Sequence, residues 1–133
     1  MKNNRFLLIG LGLLVTGIVL GALGAHALKD RLPSQPLESF KTGVFYQLLH
    51  GVLFVAFGLY ERLDDAVSIF RTGLYLSLAG VFLFSFSIYI LSTSAITGLS
   101  VRMLGPVTPI GGVLMIAGWS WVMAKVGVSR NSQ

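Results

Sequence analysis

The residues with the widest chemical range in this chain are two histidines, His26 and His50, which both lie within or at the end of long apolar runs. An imidazole can transfer protons, bind a metal or ligate a haem iron. Polar residues inside a membrane cost free energy and usually face protein or water. We therefore predict a polar track between helices, formed by His26, Tyr46, Gln47, His50, Ser85, Ser87, Tyr89 and Thr108.

The sequence gives little support for a haem site, a catalytic zinc site or a thiolate metal site. A bis-histidine haem needs two ligands at one depth, and the helical rise separates the two histidines by roughly 12 Å. A catalytic zinc needs three protein ligands, and no carboxylate lies inside an apolar run. The chain contains no cysteine, which excludes disulfides and thiolate metal sites. We predict no catalytic residue, no metal and no cofactor, although Asp30 and Glu38 leave a weak metal or proton site near His26 open.

The composition indicates an integral membrane protein. Apolar residues make up 54% of the 133 residues and charged residues 11%, whereas about a quarter of a soluble domain is charged. The net charge of +5 does not suggest nucleic acid, because the basic residues stand singly between apolar runs. The predicted partners are membrane lipids and a second copy or another membrane protein, and no nucleic acid.

Four apolar runs are long enough to cross a bilayer, and we place them at residues 6–28, 42–60, 72–91 and 107–124. A signal peptide is the alternative for the first run, but signal-peptide cores are only about 7–15 residues long. Short connections favour antiparallel neighbours. We therefore predict an all-α integral membrane protein, with residues 1–133 forming one domain of four transmembrane helices in an up-down-up-down bundle.

The basic residues predict the orientation of this bundle. Six of them fall on the side of the termini (Lys2, Arg5, Arg62, Arg71, Lys125 and Arg130) and four on the other (Lys29, Arg31, Lys41 and Arg102). Cytoplasmic loops carry the excess of Lys and Arg, so we place both termini in the cytoplasm. Trp119 and Trp121 then fit an interfacial aromatic belt on that side.

Small residues at helical spacing predict where the helices touch. Lipid is as apolar as leucine, so membrane helices associate through close backbone contact and polar contacts. Gly17, Gly21 and Ala25 are four residues apart, and we predict that they pack against another helix. Gly111 and Gly118 are the equivalent positions predicted for the fourth run.

Four stretches carry a resemblance to a known family. They are GALGAHAL at 21–28, FKTG at 40–43 followed by YQLLH at 46–50, LFSFSIY at 83–89, and LGPVTPIGG at 104–112 with Gly118-Trp119. In these features the chain resembles the bacterial domain of unknown function 423 family, which is related to the transmembrane protein 256 family. The resemblance implies a small multi-span protein of the inner membrane and supplies no catalytic residues. The family pattern has glycine where this chain has Phe86, which we expect to face lipid.

Two functions remain open on this reading. The first is a non-enzymatic membrane protein of structural role, which self-associates or supports a membrane complex. The alternative is a unit that binds or translocates a small solute, a lipid or protons along the polar track. Ion-coupled transporters usually contain an intramembrane acid, and none is found in the four runs. An enzyme acting on a lipid headgroup, with His26 as its base, is a more distant alternative.

Overall fold

The structure, a computed structural model, describes residues 4–63, 65–99 and 101–130. Within these residues it contains four long helices and no strand: α1 (Arg5–Ala25), α2 (Ser34–Leu63), α3 (Arg71–Thr97) and α4 (Val107–Arg130). All four helices are long and apolar enough to cross a membrane. The predicted all-α class with four spans in an up-down-up-down bundle is therefore confirmed.

The bundle is built from two hairpins. Helix α1 packs along α2, helix α4 packs along α3, and a smaller contact between α2 and α3 joins the two pairs. Among the described residues, no backbone contact of similar extent joins α1 to α4 or α2 to α4. The outer helices therefore flank the central pair, and a space remains between α2 and α4.

Glycines seven residues apart hold α1 against α2. Gly10, Gly17 and Gly24 are buried and face α2. A Cβ atom on Gly10 would lie 2.5 Å from the backbone nitrogen of Val55, and one on Gly17 would lie 2.7 Å from Leu48 Cδ2. Seven residues make almost two full turns, so these glycines remain on one face along the contact. The two backbones approach closely because no side chain separates them.

This contact differs from the row predicted with four-residue spacing. Gly17 belongs to it, and Gly21 lies at its edge, where a Cβ atom would meet Val44 Cγ1 at 3.4 Å. Ala25 is exposed and takes no part. Four residues exceed one turn by about 40°, so a row with that spacing rotates away from the neighbouring helix.

Facing glycine pairs hold α3 against α4. A Cβ atom on Gly111 would lie 2.7 Å from the carbonyl oxygen of Gly80, and one on Gly118 would lie 2.6 Å from that of Gly73. Both residues predicted to pack on the fourth helix thus lie in this contact. Ser77 lies between the two pairs, fully buried against Gly118. The helices therefore meet backbone to backbone at two levels.

The helix ends differ from the limits of the apolar runs. Helix α1 ends at Ala25, since the Leu28 N–H donates five residues back to Leu23 at 3.0 Å and Leu28 packs beside Leu32 and Phe40. Helix α3 continues to Thr97 and stops at Gly98, whose φ of 68° lies in the left-handed region that glycine adopts without strain. Polar residues thus extend α3 past the predicted limit.

Helix α2 extends beyond its predicted span at both ends. It begins at Ser34 and reaches Leu63, and near its end Glu61 is only 5% exposed. Arg71 donates to Glu61 Oε1 through Nη2 at 2.8 Å and Nε at 3.1 Å. No acidic residue lies in the predicted span 42–60, but the complete helix α2 is longer and includes the buried carboxylate of Glu61. This ion pair holds the start of α3 against the end of α2.

Candidate functional site

The Gln47 side chain connects three helices, and we call this contact the Gln47 junction. Its Nε2 donates to the Leu13 carbonyl oxygen at 3.0 Å and to Thr16 Oγ1 at 2.8 Å on α1. Its Oε1 accepts from the Tyr89 hydroxyl of α3 at 2.8 Å. Both amide hydrogens and the amide oxygen are therefore used. The buried amide is fully satisfied without water or ligand.

Two serines of α3 make further contacts between helices. Ser85 Oγ donates to the Gly43 carbonyl oxygen of α2 at 2.8 Å. On the opposite side, Ser87 Oγ lies 2.7 Å from Thr108 Oγ1 of α4. Because Ser85 and Ser87 are about 200° apart around the helix, they face different neighbours. Helix α3 is thus tied to α2 by one hydroxyl and to α4 by the other.

His50 joins α2 to α4 through an aromatic partner. Trp119 Nε1 donates to His50 Nε2 at 3.0 Å, and His50 Nδ1 lies 2.8 Å from the Tyr46 carbonyl oxygen. Indole is only a donor, so Nε2 must be the unprotonated nitrogen and Nδ1 carries the hydrogen. One neutral tautomer therefore satisfies both ring nitrogens.

We expect the His50–Trp119 pair to behave as a structural unit. His50→Leu and Trp119→Phe should each lower the free energy of unfolding by about 1 kcal/mol, because each change breaks the bond and leaves the other partner unsatisfied. The double variant removes both partners and should be no less stable than either single variant. Unfolding in mild detergent measures this, and simple additivity of the two losses would contradict it.

A cleft of about 600 Å³ lies beside this pair, between α2 and α4. We call it the α2–α4 cleft. Its wall includes Tyr46, His50, Gly112, Ile116 and Trp119 and is mostly apolar. Ile116 is 69% exposed, so the cleft opens towards the surroundings of the bundle. The His50 and Trp119 rings, with centroids 5.8 Å apart, connect α2 to α4 at this cleft.

The predicted polar track does not form one continuous line. Gln47, Ser85 and Tyr89 lie between α3 and its neighbours α1 and α2, Ser87 and Thr108 lie between α3 and α4, and Tyr46 and His50 line the α2–α4 cleft. His26 is exposed at the end of α1 and belongs to none of these groups. The single track is therefore replaced by three separate sets of contacts, with His26 outside them.

Two residues in these contacts were not among the predicted site residues. Thr16 accepts from Gln47 and donates to the Gly12 carbonyl oxygen at 2.7 Å. Its polarity inside the first apolar run was a signal that could have identified it. Trp119 was assigned to the interfacial belt, whereas its indole N–H points inward to His50. Trp121 is the more exposed tryptophan, with Lys125 Nζ 5.0 Å from its ring centroid.

Comparison with known proteins identifies relatives over almost the whole chain. A UPF0382 membrane protein of Bacillus subtilis (strain 168), YwdK, is 37% identical over 126 residues, covering 94% of this chain and 96% of that protein. A UPF0382 inner membrane protein of Escherichia coli (strain K12), YgdD, is 32% identical over 131 residues, covering 96% and 92%. No solved structure matches the chain significantly.

A family model described as "Protein of unknown function (DUF423)" matches residues 20–112. This segment includes Gln47 and Tyr89 of the Gln47 junction, the His50 ring and the contact of Ser87 with Thr108. Leu13 and Thr16 of the junction lie before it. The match, the relatives and the four apolar helices agree on one class of protein. The chain belongs to the DUF423 family of bacterial membrane proteins and is a multi-pass member of it.

Proposed function

We propose that this protein is a non-enzymatic structural component of the bacterial inner membrane, which self-associates or supports a membrane complex. The observation that carries the proposal is the use of its intramembrane polar groups. Gln47, Tyr89, Ser87 and Thr108 bond to groups on other helices of the same chain. Side chains committed in this way stabilise a scaffold and are not free to bind a transported solute.

The location and orientation rest on separate arguments. The similar protein of Escherichia coli is named an inner membrane protein, which supports an inner-membrane location for this chain. The excess of basic residues on the side of the termini favours termini in the cytoplasm. Both statements form part of the proposal.

Helix α1 offers the surface best suited to association with another helix. Gly12 has no heavy atom within 4 Å of the position of a Cβ atom, and Thr16 lies one turn further along the same exposed side. Small residues four apart allow another helix to approach closely. Val15 and Val19 beside them are 63% and 62% exposed. A second copy or a partner helix can therefore contact α1 without any change in the fold.

Native mass spectrometry in mild detergent tests the association. We expect the wild-type chain to appear as a dimer or larger species, or with a membrane-protein partner. Gly12→Leu should reduce that species several-fold, because leucine separates the helices. Gly112→Leu is the matched control, since Gly112 also has nothing within 4 Å of its Cβ position but lies on α4. A strictly monomeric wild-type chain without a partner would overturn the proposal.

A second candidate is a binding unit for a small apolar molecule, favoured by the α2–α4 cleft. The cleft volume of about 600 Å³ is in the range of small-molecule sites. The same spectra discriminate the two candidates, because Gly112 lines the cleft and leucine there would fill it. A small adduct on wild-type monomers that Gly112→Leu removes and Gly12→Leu keeps would favour binding over the structural role.

A further inference from the structure

A polar recess lies at the other end of the molecule from the termini, apart from the α2–α4 cleft. It has a volume of about 410 Å³ and lies between the first turns of α2 and α4 and the last turns of α3. Its polar lining consists of Gln35, Ser39, Thr42, Ser92 and Thr108. Among the described residues that line it there is no acidic side chain. Thr42 already donates to the Glu38 carbonyl oxygen at 3.0 Å, and Thr108 shares a hydrogen with Ser87 at 2.7 Å. Gln35, Ser39 and Ser92 are therefore the side chains of this described lining that can donate to an anion.

Ser92 presents to this recess a hydroxyl without a partner among the described residues. It is only 4% exposed, yet its hydroxyl forms no hydrogen bond with any residue between 4 and 130 that the structure describes. The hydroxyls beside it behave differently, since Thr93 donates to the Tyr89 carbonyl oxygen and Ser94 to that of Leu91, at 2.8 and 2.7 Å. Ser92 lines the recess and its oxygen is not fully enclosed, so the hydroxyl is accessible from the recess. The recess is where a partner for Ser92 would bind.

Two helix N-termini add favourable electrostatics. Helices α2 and α4 both begin beside the recess, with Gln35 and Thr108 in their first turns. The first N–H groups of a helix have no partner within it and carry partial positive charge. Glu38, which precedes Ser39 in the chain, is exposed and forms an ion pair with Lys41 at 2.7 Å. An anion in the recess would therefore meet donors and positive dipole ends.

The depth of the recess matches the headgroup layer. Helix α2 has 30 residues, about 45 Å of helix, whereas the hydrocarbon core is about 30 Å thick. The buried Glu61 ion pair lies near its far end, so the first turns of α2 extend beyond the hydrocarbon on the opposite side. Ile88 and Leu91 form the apolar wall below the polar groups. A lipid could place its phosphate among the donors and its acyl chains along this wall.

We propose that this recess binds the phosphate group of a phospholipid headgroup in the leaflet away from the termini. The chemistry that recognises the ligand is a phosphate oxyanion held by the Ser92 and Ser39 hydroxyls and the N-termini of α2 and α4. Free inorganic phosphate shares this chemistry, and the experiment separates the two sources. The site is independent of oligomeric state, so its failure would leave the proposed structural role untouched.

The test titrates the full chain in mild detergent with phosphatidylglycerol, with diacylglycerol of the same acyl chains, and with inorganic phosphate, and follows adducts by native mass spectrometry. Phosphatidylglycerol should bind, and diacylglycerol should neither bind comparably nor compete. Ser92→Ala should weaken phosphatidylglycerol binding roughly tenfold, as expected for a hydrogen bond to a charged group. Ser39→Glu should weaken it further, because Ser39 is exposed and the new carboxylate would repel the phosphate without disturbing the core.

Three controls match these variants. Ser94→Ala removes a hydroxyl from the same helix end, Ala27→Glu adds the same charge at an exposed site on the same side, and Gly112→Leu fills the α2–α4 cleft. All three should bind phosphatidylglycerol as the wild type does. Competition by inorganic phosphate would support the anion site with free phosphate as its source. Equal binding of diacylglycerol, or unchanged binding by both recess variants, would overturn the proposal.

Discussion

Replacing Gly111 by alanine is expected to lower the free energy of unfolding by about 2 kcal/mol, whereas the same change at the adjacent Gly112 is expected not to lower it. A Cβ atom on Gly111 would lie 2.5 Å from the Phe84 backbone nitrogen and 2.7 Å from the Gly80 carbonyl oxygen. Neither atom belongs to a flexible side chain. The new methyl group can be accommodated only if α3 and α4 move apart.

Gly112 provides a control in the same helix and with the same chemical change. No heavy atom lies within 4 Å of its Cβ position, because it faces the α2–α4 cleft. Any difference between the two variants therefore reports the contact with α3 and not the helical preference of alanine. Reversible unfolding in detergent, monitored by circular dichroism, measures both. Equal stabilities would show that α3 and α4 do not meet at Gly80 and Gly111.

Gln47→Leu is expected to lower the free energy of unfolding by about 2 kcal/mol, since it removes three hydrogen bonds of about 0.6 kcal/mol each. The three bonds reach the Leu13 carbonyl oxygen and Thr16 on α1, and Tyr89 on α3. Leucine is similar in size to glutamine but cannot donate or accept a hydrogen bond. The loss should therefore come from the polar contacts and not from a cavity.

A double-mutant cycle with Tyr89→Phe assigns one of these bonds. Tyr89→Phe removes only the hydroxyl that donates to Gln47 Oε1 at 2.8 Å. The coupling energy between the two changes should be about 0.6 kcal/mol. Tyr75→Phe is a suitable control, because it removes a hydroxyl from a tyrosine of the same helix that is 44% exposed and lies about four turns from Tyr89. No coupling between Gln47 and Tyr89 would contradict the junction.

These contacts explain how a chain with so few polar residues specifies one arrangement of helices. Apolar packing against lipid is nearly neutral, because lipid is as apolar as the side chains. The glycines set how close two helices lie, and the hydrogen bonds set which residues face each other. Gln47 determines the rotation of α2 relative to α1 and α3, and His50 determines it relative to α4. Gln47 and His50, which the sequence suggested as candidate binding residues, therefore determine how the helices are oriented relative to each other.

The helix pattern shows where prediction from local sequence succeeds. Charge-free runs of about 20 residues must be helical in a membrane, because lipid offers no partners for backbone groups. This reasoning identified all four helices. It placed their ends less accurately, since polar residues such as Gln35 and Thr97 continue a helix into the interface without any hydropathy signal. Phe86, expected to face lipid, is 52% exposed and stacks on Phe82.

The glycine contact shows where local sequence was insufficient. The sequence of α1 contains small residues four apart, Gly17, Gly21 and Ala25, and it also contains glycines seven apart, Gly10, Gly17 and Gly24. Only the partner helix distinguishes them, because the crossing geometry decides which row stays in contact. The structure selects Gly10, Gly17 and Gly24, and leaves Ala25 exposed. Spacing within one helix therefore predicts that a contact exists, and the relative orientation of two helices decides which residues form it.

By itself, the sequence determined that this protein is an integral membrane protein of four helices with polar residues inside them, because hydropathy and backbone hydrogen bonding are local properties. The tertiary structure decided the partners of those polar residues. It divided the expected track into three sets of contacts, left His26 outside and turned Trp119 towards His50. It also placed Ser92 in a recess with the first turns of α2 and α4. The physical reason is that depth follows from position in the chain, whereas facing direction follows from how each helix is rotated against its neighbours.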